Sequence, residues 1–495
     1  MSAGPTTASD HKFGFLFRAL RHRNYRLFFT GHGISLIGTW MQGAAVGWLI
    51  RDLAEKEGVS AEFWLGMVPF IGQLPTFFLP LLTGVLADRW SRRRILIGTQ
   101  VLAMVQAICL AIVAASGYAQ IWHVMVLAAC IGLINSFDIP ARQSFVVDLV
   151  DDRRDLGNAI ALNSSLVNSA RLIGPLIAGT LIAYISTTSC FILNAVSYLA
   201  VLAALLAMTL PPRTAAKTKQ HVLHGLKEGF LYATSSRPIR TVLMLLALIS
   251  FMGVSYGVLM PVVARDVLKG DSLTFGMLLS SAGAGALCGA GFLASRRTVR
   301  GIKTNIAVAA AIFGGGLMAF SFSRSLWLSL PLMMVTGFGM MVTTASSNTF
   351  LQAIVDDDKR GRVMSFWTMS FMGMVPFGSL FTGSMAHYLG EGLPPGAGAM
   401  KTLLIGGAAC VVAAILFATR LPMLRRETHP IYLRKGLIPQ VTMAAGNSAP
   451  TTSGEEPAGM TNPAQGDIAA AARSPLSGED LQKPADAGEN CPDRK

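Results

Sequence analysis

Acidic residues are scarce in this chain: Asp and Glu number 27 against 41 Lys and Arg, and all charged residues together make only 14% of 495 positions. A chain so poor in charge, and 52% hydrophobic, is too apolar for an ordinary soluble enzyme and too long for a single core. Cysteine is sparse as well, with six residues (Cys109, Cys130, Cys190, Cys288, Cys410 and Cys491), five of them in apolar runs. No C-x-x-C pair and no Cys/His cluster with metal spacing occurs, which argues against a disulfide framework and a structural zinc. The G-x-x-x-x-G-K-[ST] loop is missing, so this chain alone has no cradle for nucleotide phosphates. A hydrolase elbow and a zinc-protease helix are missing too, so neither an enzyme activity nor a cofactor or metal is called for. Residues 1–24 are polar and basic and lack the apolar core of a cleavable signal, so insertion is expected to begin with the first long span.

What is present is a series of apolar runs long enough to cross about 30 Å of hydrocarbon, which takes about 20 helical residues. Six fall near 25–51, 62–86, 95–116, 121–146, 158–184 and 188–211, and six more near 238–266, 272–296, 302–322, 326–350, 362–388 and 397–420. The expected fold is therefore an all-α polytopic membrane protein with twelve transmembrane helices. With both termini in the cytoplasm, the short loops and helix ends on that side carry 25 Lys and Arg before the C-terminal tail. The opposite side carries six: Arg51, Lys56, Arg265, Lys269, Arg324 and Lys401. Such an excess marks the cytoplasmic face of a membrane protein. The net charge of +14 is thus a topology signal in a cell (inner) membrane protein, with the lipid bilayer rather than nucleic acid as partner.

The polar, basic stretch 212–237 reads as a cytoplasmic linker between two six-helix bundles, 25–211 and 238–420, preceded by a cytoplasmic N-terminal segment, 1–24. Residues 421–495 open as a basic, partly apolar interfacial segment and continue rich in Gly, Ala, Pro, Ser and Glu, a composition expected of a disordered cytoplasmic tail. The two bundles resemble each other. A shift of 214 residues lays Arg26 on Arg240, Gly43 on Gly257 and Arg51-Asp52 on Arg265-Asp266. A shift of 204 lays "GPLIAGTL" (174–181) on "GSLFTGSM" (378–385). Parallel duplication of this kind marks transporters whose substrate site lies near midplane between the halves.

Between the second and third spans stands "GVLADRWSRRRILI" (84–97), one acid among arginines on the cytoplasmic side. Gly84 suits a helix end, Asp88 can accept hydrogen bonds from a facing helix end, and Arg89, Arg92 and Arg93 can reach acids and lipid phosphates. Either the cluster latches one conformation or its arginines only obey the basic-inside rule, the reading that suits Arg94. The segment resembles the loop signature of the major facilitator superfamily, Gly-x-Leu-Ala-Asp-Arg-x-Gly-Arg-Arg, with Ser91 at the family's second glycine. A strained positive-φ turn or a different turn is expected at that serine. In the fifth span, Gly174, Pro175 and Gly179 of "NSARLIGPLIAGTLIA" (168–183) resemble the fifth-helix motif of facilitator antiporters, which implies export. Read without the family, they form a small-residue packing face. "LRHRNYRLFFTGHGISLIGTWMQ" (20–42) and "FDIPARQSF" (137–145) look like the branch holding the enterobactin exporter and drug–proton antiporters.

Polar groups inside a span are costly, so each is a functional candidate. Trp40, Gln42, Asn135, Asn168 and Arg171 are the substrate-binding candidates, and Asp138 and His32 the proton-coupling ones, with His387 as a further imidazole. Pro140 is expected to break the fourth helix, which would make Asp138 its N-cap. Arg171 either binds an anionic substrate or pairs with Asp138. The reading that unites these features is a secondary active transporter of the major facilitator type. It would export an amphipathic small molecule, drug-like or siderophore-like, by alternating access with proton entry, and a single chain is compatible with that work. Uptake, a lipid-handling membrane enzyme and a non-transporting sensor are the alternatives.

Overall fold

The computed structural model describes residues 17–79, 91–150, 152, 154–209, 231–296 and 301–435, which are helical apart from short turns, with no strand among them. In the N-terminal half the spans are Arg23–Glu57, Ala61–Phe78, Arg92–Ala115, Ile121–Asp148, Leu156–Tyr184 and Thr187–Ala207. The C-terminal half contributes Arg237–Val267, Ser272–Ser295, Ile302–Phe322, Leu326–Ile354, Arg360–Gly390 and Ala397–Thr419. Eleven of these are long and apolar enough to cross a membrane. The second, Ala61–Phe78, is diluted by Glu62, Gln73, Pro69 and Pro75, yet it packs as a span between the fourth and the eleventh. We call the side where the described residues begin and end the terminal side and the opposite one the far side.

Within the N-terminal half the first span lies against the fifth and sixth, and the third against the fourth and sixth; in the other half the tenth lies against the eighth and ninth, and the ninth against the twelfth. The halves meet along two seams, fifth against eighth and second against eleventh. Glycine makes both possible. A Cβ on Gly179 would stand 2.5 Å from the Ser272 carbonyl oxygen and 3.0 Å from Gly276 Cα, and one on Gly66 would stand 2.5 Å from the Ser379 carbonyl and 2.9 Å from Gly383 Cα. Lipid tails offer no hydrophobic drive for helix association, so such backbone contact and interhelical hydrogen bonds hold membrane helices together. Ser272 and Ser280 add two, donating to the carbonyls of Gly179 (3.1 Å) and Leu172 (2.7 Å).

Two spans are discontinuous. The seventh runs as α-helix from Arg237 to Met252, tightens to 3-10 over Val254–Leu259 and widens to a π-turn over Val263–Val267. The eleventh is interrupted between Arg360–Phe371 and Val375–Gly390. The fourth, contrary to expectation, passes through Pro140 without a break, and Asp138 is no N-cap. Proline there frees one carbonyl, and neighbouring helices tolerate that cost.

On the terminal side a short turn, Arg18–Arg21, is clamped to the start of the fifth span: Asp155 receives Arg18 Nε at 2.6 Å and His22 Nε2 at 3.1 Å, and Asn158 accepts the Ala19 amide at 3.0 Å. The basic segment after the twelfth span is a helix, Leu421–Arg434, that buries Leu424, Thr428 and Tyr432 on one face. Lys303 ties it down, donating to the Leu424 carbonyl at 3.2 Å and to Thr428, with its ammonium 5.2 Å from the Tyr432 ring. Residues 212–230 of the expected linker 212–237 and the tail beyond residue 435 lie outside the described residues.

Candidate functional site

The fourth span carries Asp138 into the N-terminal half, where it is buried. Because the helix is continuous, Arg142 stands one turn further on the same face and forms an ion pair with it. The third span supplies two further donors to it: Thr99 Oγ1 and Gln100 Nε2 each donate to Asp138 Oδ1 at 2.8 Å. Arg142 Nη1 lies 3.3 Å from Nε2 of His32 in the first span, and the His32 ring stacks on Phe28 with centroids 5.0 Å apart. One carboxylate, one guanidinium and one imidazole thus form a connected relay. Of the two readings of Arg171, pairing with Asp138 is not what the fold makes.

Arg171 is placed otherwise. Its guanidinium carbon lies 5.0 Å from the centre of the Trp40 ring, and no carboxylate of the described residues is in pairing range. Its Nε is walled in with no acceptor. Tyr256, on the 3-10 stretch of the seventh span, is near enough for its hydroxyl and the Arg171 charge to interact. Gly174 explains the Trp40 contact, since a Cβ there would stand 2.6 Å from Trp40 Cβ. The two glycines of the fifth-span motif therefore serve different seams: Gly174 admits the first span and Gly179 the eighth, while the Pro175 carbonyl lies against Gly276.

The other candidates divide. Gln42 is buried inside its own bundle, donating to Gln106 Oε1 at 3.1 Å and accepting from Asn194 Nδ2 at 2.8 Å, so its amide joins the first, third and sixth spans. That geometry makes it a helix-to-helix bridge rather than a substrate contact. Asn168 is buried and donates to the Ser164 carbonyl of its own helix at 2.9 Å. Asn135 is half-buried on the fourth span, one turn before Asp138. His387 stands near the far-side end of the eleventh span, 3.8 Å from Glu391.

The duplicated Arg-Asp dipeptides come together across the halves on the far side. Arg51 Nη2 pairs with Asp266 Oδ1 at 3.0 Å, and Nη1 with Glu55 at 2.5 Å and Asp52 at 3.5 Å. Arg265 in turn lies within Coulombic range of Asp52. Trp48 packs on Phe275 beside this pair, with ring centres 5.9 Å apart, and a recess of about 520 Å³ opens next to it.

In the loop signature, Gly84, Asp88 and Arg89 lie outside the described residues. Arg92 pairs with Asp148 at 2.8 Å and donates to the Ser144 carbonyl at 3.1 Å, and Arg93 donates to the Leu206 carbonyl at 3.0 Å. Both thereby fasten the third span within its own bundle. Ser91 has φ −67° and caps the third span in extended conformation, so it carries no positive-φ strain.

The sequence matches the family described as transmembrane secretion effector over residues 16–435. The chain belongs to this family of major facilitator transporters. Among curated proteins the transporter is similar to the staphyloferrin A transporter of Staphylococcus aureus, 25% identical over 370 residues, covering 74% of this chain and 90% of that one. It is 23% identical to the macrolide efflux protein A of Streptococcus pyogenes over 390 residues, covering 75% and 92%. To the multidrug efflux pump Tap of Mycobacterium tuberculosis it is 24% identical over 407 residues, covering 80% and 91%. Among solved structures, a bacterial homologue of the human lysosomal transporter Spinster, inward-facing and occupied, superimposes with TM-score 0.63 at 15% identity, covering 83% of this chain and 98% of that one. That likeness concerns the fold.

Several residues of this transporter's polar network escape a reading of the sequence. Thr99, Gln100, Gln106 and Asn194 sit among apolar neighbours and carry no motif. Arg142 was visible four residues after Asp138, and a continuous helix would have paired them. Tyr256 has no marker in the sequence.

Proposed function

We propose that this transporter is a proton-coupled exporter of amphipathic small molecules, working by alternating access with both termini in the cytoplasm. The observation that carries the reading is the Asp138–Arg142–His32 relay: a buried carboxylate whose guanidinium partner also touches a titratable ring. Protonation of Asp138 removes the charge that holds Arg142, and the released guanidinium biases the packing of the first, third and fourth spans. The far-side contacts Arg51–Asp266 and Trp48–Phe275 fit a conformation closed toward the outside. The names of the relatives, two efflux proteins and a siderophore transporter, support export and an organic substrate. The segment with Gly84, Asp88, Arg89, Arg92 and Arg93 acts in this reading as the cytoplasmic latch, and Asp88→Asn cuts flux without impairing insertion. Trp40, Asn135, Asn168 and Arg171 belong to the substrate path, and Gly174, Pro175 and Gly179 to the seams that must slide.

The test is efflux of fluorescent amphipaths from vesicles with an imposed pH gradient. Asp138→Asn should abolish gradient-driven flux while leaving equilibrium binding intact. Full gradient-driven flux in that variant refutes the proton role, and net accumulation in right-side-out rather than inverted vesicles refutes export in favour of uptake.

A further inference from the structure

We propose that Arg171, Trp40 and Tyr256 form a binding site for the anionic head of an amphipathic ligand, a carboxylate or comparable oxyanion, where the first, fifth and seventh spans meet. The proposal deepens the export reading and rests on it only for the site's use in transport.

The argument begins with an uncompensated charge. Asp138 and Arg142 neutralise each other, and Arg51 is neutralised by Asp266 and Glu55. Arg171 has no such counterpart among the described residues and no hydrogen-bond acceptor among them, although its Nε is buried. A guanidinium keeps its charge at any physiological pH, so a low-dielectric position without a carboxylate leaves a standing demand for an anion. The buried carboxylate of the neighbouring fourth span is already held by Arg142, Thr99 and Gln100.

The surroundings shape that demand into a site. The guanidinium carbon lies over the Trp40 ring at 5.0 Å, a cation–π contact that leaves the terminal N–H groups without an acceptor among the described residues. Those groups match the two oxygens of a carboxylate in bidentate geometry. Gly174, one turn along the fifth span, allows the first span close enough for this stacking. From the opposite half comes Tyr256, buried and packed on Phe313 with ring centres 6.4 Å apart. Its hydroxyl can donate a hydrogen bond, and it stands on a stretch of helix wound as 3-10. An anion held by both Arg171 and Tyr256 would touch both halves of the protein. The aromatic faces of Trp40 and Tyr256 suit the apolar body of an amphipath. A cationic amphipath would instead set like charges together with no carboxylate to receive it.

The test uses purified protein in zwitterionic nanodiscs and a matched pair of probes, 2-naphthylacetate and 2-naphthylethylammonium. Thermal unfolding is followed against probe concentration, because a ligand that binds the folded state raises the midpoint. The anion is expected to raise the midpoint and the cation to leave it unchanged. Arg171→Gln should weaken the anion at least tenfold, Arg171→Lys should be intermediate, and Tyr256→Phe should weaken it severalfold without altering the unliganded midpoint. Arg171→Lys and Tyr256→Phe keep the test decisive if Arg171→Gln fails to fold. Equal shifts from both probes, no shift from either, or an anion response untouched by Arg171→Lys and Tyr256→Phe would overturn the site. Anion binding without gradient-driven efflux overturns the export reading and leaves the site standing. Efflux indifferent to Arg171 leaves the export reading standing and overturns the site's use in transport.

Discussion

Replacing Asp266 by Asn removes the carboxylate that ties the seventh span to Arg51 of the first across the far side. At 3.0 Å and an effective dielectric constant of about 20, the gross Coulomb attraction is about 5 kcal/mol. Most of that is not recovered as coupling. The Asp266 side chain is 19% exposed, and Arg51 keeps Glu55 at 2.5 Å and Asp52 at 3.5 Å, so no charge is stranded. A net cross-half contribution of about 1–2 kcal/mol remains. One or two kcal/mol changes a two-state ratio by roughly 5- to 30-fold. The far-side-open population should rise by that factor. Gly47 is a suitable reporter position, because a Cβ there meets Pro261 at 3.6 Å and Phe275 at 3.9 Å, ordinary contact distances on the inter-half seam. In a cysteine-free background carrying Gly47→Cys, the rate of labelling by an impermeant maleimide added to intact cells should rise 5- to 30-fold with Asp266→Asn, by the same ratio. Arg51→Gln should raise it too, and the double variant should be no faster than the faster single, as coupled residues require. Unchanged labelling in Asp266→Asn, or singles whose effects simply multiply, would refute the far-side tie between Arg51 and Asp266.

The glycine seams make a second prediction: Gly179→Val, whose Cβ would stand 2.5 Å from the Ser272 carbonyl, should cut flux more than tenfold in inserted protein. Gly43→Ala, with nothing within 4 Å of the added carbon, should not. Equal flux in the two variants would dismiss the seam. Gln42→Ala removes two interhelical hydrogen bonds and should lower stability by about 1–2 kcal/mol in thermal unfolding while leaving substrate KM unchanged. A higher KM at unchanged stability would return Gln42 to the substrate path. Hydrogen bonding from His22, then the Arg18 contact, holds the Asp155 carboxyl below its ordinary range. A lowered folded pKa means the clamp on Arg18–Arg21 is complete above about pH 4 and lost as pH falls through the lowered value. A spin label at Leu20→Cys should stay immobile from neutral pH into the carboxylate range and mobilise only below it. Mobilisation in the histidine range instead would contradict the assignment to Asp155.

How far each residue was legible depends on how local its physics is. The spans could be read because the cost of a polar group in hydrocarbon is charged residue by residue along the chain. The repeat that laid Arg51-Asp52 on Arg265-Asp266 already pointed to two equivalent helix ends, and their meeting across the halves follows from that pseudo-symmetry. Asp138 stands out as an in-span acid, with pairing to Arg171 as one of two readings of that arginine and a break at Pro140 expected beside it. The helix runs through, and the four-residue spacing to Arg142 then decides the pair. Polarity alone marked Gln42 as readily as Arg171; only helix rotation distinguishes an amide turned toward Gln106 and Asn194 from a guanidinium stacked on Trp40. Tyr256 was beyond reach altogether, since its place depends on the seventh span tightening to 3-10 against the ninth and eleventh. Composition, spacing and charge are properties of the chain itself, and from them came the twelve spans and the inventory of in-span charge. Which charge meets which, and which is left unmatched, arose from the rotation and close approach of helices far apart in sequence, because a buried charge is stabilised by neighbours in space and not by those along the chain.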